Sequence, residues 1–234
     1  MLAGQTLRAN DGYEVALFPM PYMYISQGEM MPSGYSHYNV YNIDLLGWDA
    51  NGRVHQAPVY APVTMKVVTA WLNYDGGNTV IFESTGPVHL ANGHLNYLTI
   101  YFAHDSNPPY TTTGMVVNQG QLCYHTGTYG HVIGADPDHT HTCCGEGRYQ
   151  GTTVRIGGHT DLTNRIHYYD AVYINDTVLV EDYGYNWKIW DGPTPPPTPS
   201  RTSWFPWVLY ARKLCDERSQ TNVWLFSYFM IYRS

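Results

Sequence analysis

The fold class of this 234-residue chain is decided by the stretch VTMKVVTAWL at residues 63–72, NYDGG at 73–77 and NTVIFES at 78–84. The first and last of these segments are rich in β-branched residues, which favour strands. Two such runs joined by a short turn that contains Asp-Gly-Gly are typical of a β-hairpin. The stretch therefore predicts two adjacent antiparallel strands.

Further strand-like runs lie on the C-terminal side of this hairpin, separated by turn signals. They are residues 95–103, 114–118, 121–124, 152–156, 172–174 and 178–180. No stretch of useful length has the 3.6-residue apolar periodicity of a helix. We therefore expect an all-β or β-rich fold, with an antiparallel sheet and long loops.

A proline-rich segment, PTPPPTPS at residues 193–200, marks the clearest domain boundary. Such a sequence favours a stiff, extended spacer. We predict a main domain over 1–192, a linker over 193–200 and a short aromatic and basic tail over 201–234. The tail is compatible with packing on the body as a short hairpin, with binding to a cell wall or membrane surface, and with disorder or an oligomer contact.

Charge and hydropathy exclude several classes of partner. The formal net charge is −7 and the body has no basic block, so a nucleic-acid partner is not expected. The N-terminal segment lacks the basic start and apolar core of a secretory signal peptide. The apolar part of residues 219–232 is too short to span a bilayer. Delivery to a substrate outside the cytoplasm would therefore depend on another agent.

The four cysteines do not predict a disulfide framework or a cysteine-only zinc site. They are Cys123, Cys143, Cys144 and Cys215. Four cysteines are too few to stabilise a chain of this length by disulfide bonds, and the adjacent pair leaves no Cys-x-x-Cys spacing. We expect reduced cysteines with packing roles.

Histidine is abundant, with 11 residues, and three segments hold the candidates. On a strand, His139 and His141 would share one face, about 7 Å apart. His37 and Asp44 bracket a loop that can turn both side chains toward one point, and His104 ends an apolar strand. Each signal is weak alone, since isolated His pairs arise by chance.

Taken together, two histidines and one aspartate leave the fourth tetrahedral position of a zinc ion open. That is the composition of a catalytic zinc site and not of a closed structural site. For the other seven histidines we expect structural or surface roles: His55, His89, His94, His125, His131, His159 and His167.

The order of these residues resembles the M23 (lysostaphin/LytM-type) metallopeptidases, in particular their phage-endolysin branch. The resemblance covers roughly residues 20–190 and includes further motifs besides the histidines. These motifs are MYISQG at 23–28, APVYAP at 57–62, YFAH at 101–104, GQ at 120–121, GTYG at 127–130 and DYGYNW at 182–187.

The resemblance implies a β-sheet that forms an open groove, with Zn²⁺ held by His37, Asp44 and His141. It implies that His139 is the general base and that His104 steers the water or stabilises the oxyanion, although these two roles can also be exchanged. The implied substrate is a peptide stem or cross-bridge of bacterial peptidoglycan. Without a signal peptide, such an enzyme would be released by phage lysis or carried in a virion.

Two departures from the family pattern concern the surroundings of the site. Six residues separate His37 from Asp44, where many members have three, and we interpret this as a loop variant. The loop at 130–138 lacks the usual Thr-Gly lead-in, and Cys143-Cys144 stand where an apolar and an acidic residue are common. Tyr38 and Tyr101 lie near the predicted site as further candidates for stabilising the intermediate.

Two non-enzymatic hypotheses compete with the peptidase. Some relatives of this family have lost ligands and serve as wall-binding or activator modules, but no predicted ligand is missing here. A tail-fibre or wall-binding structural protein with accidental His pairs would bind no metal and cleave nothing.

Overall fold

The computed structural model describes residues 1–73, 76–154 and 160–195. Within these ranges it contains 17 strands and one short helix. The strands are β1 (Tyr22–Gln27), β2 (Asn42–Leu45), β3 (Gly47–Asp49), β4 (Gly52–Val54), β5 (Pro58–Tyr60), β6 (Met65–Trp71), β7 (Thr79–Ser84), β8 (Val88–His89), β9 (Leu95–Asn96), β10 (Leu98–Ala103), β11 (Val116–Val117), β12 (Leu122–His125), β13 (Thr140–Glu146), β14 (Thr152–Val154), β15 (Thr160–Leu162), β16 (Arg165–Ile166) and β17 (Val178–Glu181); the helix, α1 (Tyr168–Ala171), lies between the last two strands.

The main sheet has nine strands and is antiparallel except at one edge. Its order is β11-β6-β7-β10-β13-β2-β1-β17, and β16 also pairs with β13. The pairing of β1 with β17 is parallel. The β-rich fold class predicted from the sequence is therefore confirmed, and the sheet is mixed but mostly antiparallel.

The hairpin that decides the fold class forms as predicted. β6 and β7 pair antiparallel, with Met65 opposite Ser84 and Trp71 opposite Thr79. β7 continues the sheet by pairing with β10, and β10 pairs with β13. This series of antiparallel neighbours brings strands that are far apart in sequence to the centre of one sheet.

Three of the predicted strands differ in detail from those observed. The strand at 172–174 is wrong: Val172 caps α1, and Tyr173 forms only an isolated bridge with Leu17. The run at 95–103 is divided at Tyr97 into β9 and β10. Of the run at 152–156, β14 covers the first three residues, and the remainder falls outside the described residues. Strand propensity alone does not report which neighbour is available for pairing.

The central strands are buried on both faces. Every residue of β7 and β10 is buried. On one face, Phe82 and Phe102 pack in the main core, where the Phe102 and Tyr124 rings stack with centroids 5.6 Å apart. On the other face, Ile81 and Tyr101 pack in a smaller cluster with Cys143 and Leu162. These two layers fix the centre of the sheet by removing apolar area from water.

The cysteines of the described part of the chain have the packing roles expected of them. Cys123, Cys143 and Cys144 are buried and free. Burial raises the pKa of all three thiols well above the ordinary value, which keeps them protonated. Cys215 and the predicted tail at 201–234 lie outside the described residues.

Among the described residues, no helix has both the length and the apolar character that crossing a membrane requires. The linker predicted at 193–200 falls mostly outside the described part of the chain. The boundary between the predicted domain and the tail therefore stays a prediction.

We predict that Phe82→Ala lowers the free energy of unfolding by about 3–5 kcal/mol, because it removes a fully buried ring from the centre of the main core. Val178→Ala is the control, since Val178 is half exposed on edge strand β17 and its truncation should change stability by about 0.5 kcal/mol or less. Urea denaturation of both variants measures the difference. Equal midpoints for the two would contradict this account of the core.

Candidate metal centre

The site is built around a cross-strand pair of side chains. His141 of β13 lies directly opposite Asp44 of β2 in the sheet register. Opposite residues of antiparallel strands point to the same face, a few ångströms apart. The His141 imidazole Nδ1 accordingly lies 2.8 Å from Asp44 Oδ1. The sheet itself therefore brings together two residues that are 97 positions apart in the chain.

His139 joins this pair from the segment just before β13. It lies two residues before His141, and its Nε2 is 3.5 Å from Asp44 Oδ1. Its Nδ1 is 2.6 Å from the carbonyl oxygen of Pro137. A carbonyl oxygen only accepts hydrogen bonds, so Nδ1 carries the proton and Nε2 is left as the acceptor that faces the site.

His37 approaches from the loop between β1 and β2 and is fully buried. Its Nδ1 is 3.1 Å from the carbonyl oxygen of Gly28, and its Nε2 is 3.4 Å from Asp44 Oδ2. The His37 and His141 rings meet edge to face, with centroids 5.0 Å apart. Asp44 thus has one carboxylate oxygen facing each of these two imidazoles.

Two trios of side chains in this region have ligand atoms within 4.8 Å of one another. One consists of His37, Asp44 and His141, and the other of His104, His139 and His141. The structure therefore brings together all five residues named from the sequence. Two imidazoles and one carboxylate in the first trio are donors that zinc accepts.

His104 follows β10 and has an unusual backbone, with φ of 88°. Its Nδ1 lies 3.0 Å from the carbonyl oxygen of Tyr129, and its ring centroid is 4.6 Å from that of His139. Two glycines make room for it. A Cβ at Gly77 would lie 2.7 Å from His104 Nδ1, and a Cβ at Gly127 would collide with the His104 carbonyl group.

These glycine roles were not predicted from the sequence. The hairpin interpretation explains Gly77 by its turn, where its φ of 97° suits glycine. The approach of His104 to this turn is a tertiary contact that the local pattern does not contain. The Gly-Gly pair at 76–77 does not by itself indicate a contact with His104, because a two-glycine turn also occurs in ordinary hairpins.

The protonation states favour metal binding. Burial raises the pKa of Asp44, but His37 and His141 outweigh that effect and hold it well below its usual value. Burial lowers the pKa of His141 although Asp44 opposes the shift. Burial, with help from His139 and His141, lowers the pKa of His104 to about 3. The Asp44 carboxylate is thus ionised and the His141 imidazole is neutral, as metal ligands must be, and the neighbouring His104 is neutral as well.

Buried aspartates next to two of the histidines hold the loops in place. Asp105 accepts hydrogen bonds from the backbone N–H of His125 at 3.0 Å and of Asn107 at 2.8 Å. Asp138 accepts one from the backbone N–H of Gln56 at 3.1 Å and another from the Thr126 hydroxyl. The loop that lacks the family's Thr-Gly lead-in is therefore anchored through Asp138.

The two tyrosines considered for the intermediate have different environments. The buried Tyr101 hydroxyl lies 2.6 Å from the carbonyl oxygen of Thr160 and 3.0 Å from Asn42 Oδ1. It therefore serves to tie strands together. Tyr38 is exposed, and both tyrosines contribute to the lining of the cleft.

A cleft of about 1050 Å³ opens over the five site residues. Tyr35 and Tyr38 contribute to its lining from the loop that carries His37, and residues 131–133 contribute from the loop before His139. His131 was expected to be a structural or surface residue, and it lies at this cleft. His125 Nδ1 lies 2.9 Å from Asp105 Oδ2, His167 Nδ1 lies 3.1 Å from Glu29 Oε1, and His159 lies outside the described residues.

No family model matches the chain. It is 31% identical over 187 residues to Morphogenesis protein 1 of Bacillus phage B103, a match that covers 80% of this chain and 47% of that protein. The chain is therefore a homologue of a phage morphogenesis protein, and it spans about half the length of this curated relative.

Two of the solved structures with some likeness to the chain are named as peptidases. A zinc-containing peptidase from Vibrio cholerae matches 59% of this chain and 42% of its own, at 17% identity and a TM-score of 0.39. The catalytic domain of lysostaphin from Staphylococcus simulans matches 54% of this chain and 80% of its own, at 21% identity and a TM-score of 0.36.

We predict that His104 makes the metal-free protein less stable in mild acid. Its pKa of about 3 lies below the value of about 6.5 in an unfolded chain, so the unfolded state binds the proton first as pH falls. Stability from this residue is present above pH 6.5 and is lost between there and about pH 3. The linkage relation gives a loss of about 2 kcal/mol between pH 7 and pH 5.

His104→Asn is the comparison variant, since Asn tolerates positive φ better than most residues and does not titrate. Urea unfolding at pH 7 and pH 5 should show a smaller loss of stability in the variant than in the wild type. An equal loss in both proteins would contradict the low pKa of His104.

Proposed function

We propose that this chain is a zinc-dependent endopeptidase of the M23 type that hydrolyses peptide bonds in bacterial peptidoglycan. The observation that supports it most is the trio of His37, Asp44 and His141 at the floor of a large open cleft, with two more histidines beside it. Three protein ligands would leave the fourth position of a bound zinc ion open, which is the arrangement of catalytic and not of structural zinc sites. The sequence resemblance supports the same family.

In this proposal the trio holds Zn²⁺. The donor set fits, because Asp44 is ionised, His141 is neutral and the ligand atoms of the trio lie within 4.8 Å of one another. A zinc ion there supplies Lewis acidity, which polarises the scissile carbonyl and makes a water molecule nucleophilic at neutral pH.

His139 is the general base. Its Nδ1 donates a hydrogen bond to the Pro137 carbonyl oxygen, so Nε2 is available to accept the proton of the attacking water. His104 is the weaker choice for this role, because a pKa of about 3 is far from the operating pH. His104 donates its Nδ1 proton to the carbonyl oxygen of Tyr129, and it orients the water by accepting a hydrogen bond at Nε2.

The setting in which the enzyme acts is the bacterial cell wall attacked by a phage. The relative in Bacillus phage B103 is named a morphogenesis protein, which favours a wall hydrolase carried in the virion over an endolysin released at lysis. The substrate would be the peptide part of peptidoglycan, reached through the open cleft. The segment 201–234 is a candidate for wall or surface contact.

We predict that His141→Ala loses both zinc and wall hydrolysis. The change removes one imidazole from the trio and leaves Asp44 without its 2.8 Å partner. The measurements are zinc per purified chain and the turbidity loss of purified Gram-positive cell walls. We expect about one zinc ion in the wild type and almost none in the variant.

His94→Ala is the matched control, because His94 is exposed and pairs with Glu146 at the opposite end of β13 from His141. It should keep both zinc and activity. Zinc retention in His141→Ala would remove this residue from the ligand set. Zinc in the wild type without hydrolysis of any wall would instead support the wall-binding or activator hypothesis.

We predict that His139→Ala keeps zinc and loses hydrolysis. General-base catalysis contributes about 10²–10⁴-fold to rate, so kcat should fall by that order while the metal content stays near the wild-type value. Stopped assays on a purified cross-linked muropeptide, beside metal analysis of the same sample, separate the two effects. A variant that loses zinc would make His139 a ligand instead.

A further inference from the structure

Glu29 is a buried carboxyl group for which the proposed reaction has no use. Its side chain is almost fully buried and contacts the start of α1. Its Oε1 lies 3.1 Å from His167 Nδ1, and its Oε2 accepts a hydrogen bond from the Tyr168 backbone N–H at 3.3 Å. Burial raises the pKa of Glu29 to about 8, so the group carries a proton at neutral pH. Burying such a group is costly unless it is hydrogen-bonded, as Glu29 is to the start of α1.

The backbone on either side of the Gly28–Glu29 peptide connects this carboxyl group to the site. The carbonyl oxygen of Gly28 is 3.1 Å from His37 Nδ1, and the carbonyl oxygen of Glu29 accepts a hydrogen bond from the Tyr185 hydroxyl at 3.1 Å. The next residue, Met30, has a φ of 54° and donates its N–H to Val40 at 2.7 Å. The chain therefore turns sharply at the point where it supports His37.

Tyr185 lies tightly against this turn. A Cβ at Gly28 would collide with the Tyr185 hydroxyl and would lie 3.4 Å from the ring of Tyr183. The Tyr185 ring is held in turn by Tyr169, with centroids 5.5 Å apart, and by Trp187. A segment 156 residues along the chain thus fixes the position of one peptide group.

We propose that Glu29 and Tyr185 are positioning residues for the ligand His37. They hold the Gly28 carbonyl where it accepts the Nδ1 proton of His37, which keeps Nε2 directed at Asp44, 3.4 Å away. Partners of this kind fix the tautomer and ring orientation of metal-binding histidines. The part that concerns zinc rests on the proposed function, whereas the orientation of His37 does not.

Tyr185→Phe removes the hydroxyl and keeps the ring packing. Tyr183→Phe is the matched control, because the Tyr183 hydroxyl donates to the carbonyl oxygen of Ser26 at 3.0 Å, two residues before Gly28, and not to the carbonyl oxygen of Glu29. Two readouts are taken for each variant: the ¹⁵N and ¹H signals of the His37 imidazole in the metal-free protein, and the zinc dissociation constant from chelator competition.

The proposal expects Tyr185→Phe to shift the His37 imidazole signals and to weaken zinc binding by about 10–100-fold, with Tyr183→Phe unchanged. The proposal is wrong if Tyr185→Phe has the same His37 signals and the same zinc affinity as the wild type. It is also wrong if Tyr185→Phe and Tyr183→Phe change these quantities equally. If the wild type binds no zinc, the proposed function fails, and the His37 signals still decide whether Tyr185 positions this ring.

Glu29 is tested by comparing two substitutions. Glu29→Gln is neutral and similar in shape, so at pH 7 it should keep the contact with the Tyr168 N–H and retain wild-type His37 signals. Glu29→Ala removes the contact and should shift those signals as Tyr185→Phe does. Matching His37 signals in Glu29→Ala and the wild type would exclude a positioning role for Glu29.

Discussion

The contact between His141 and Asp44 across β13 and β2 is the constraint on which the rest of the site depends. It joins the two strands at 2.8 Å, on the face of the sheet that opens into the cleft. Because a register shift of one residue would turn each side chain to the opposite face, the pairing of these strands also defines the site. On its other side β13 pairs with β10, a strand in which every residue is buried, and this neighbour helps to hold the register.

The low dielectric of the site sets the protonation states of Asp44 and His141. Burial disfavours charge on the imidazoles, and their proximity favours charge on the carboxylate. The outcome is one ionised oxygen donor surrounded by nitrogen donors, with His104 kept neutral to about pH 3. This electrostatic arrangement requires the sheet to be packed first, since the same residues in water would titrate at their ordinary values.

Two of the histidines that lie outside the strands, His37 and His104, need support from elsewhere in the chain. His104 has a positive φ, and its conformation depends on the absence of side chains at Gly77 and Gly127. His37 depends on the Gly28 carbonyl, and that peptide is held by Tyr185 and by the buried side chain of Glu29. Strand residues of the site are thus placed by register, whereas loop residues are placed by specific long-range contacts.

The sequence by itself determined the β-rich class, the β6–β7 hairpin and the five residues that meet at the site. It did so because β-branched runs and Asp-Gly-Gly turns act locally, and because histidines in this order resemble a known family. Only the tertiary structure decided that residues 172–174 form no strand and that Tyr101 ties strands together. It also decided the roles of Glu29, Gly77 and Tyr185, because these rest on contacts between residues distant in sequence, which no local pattern records.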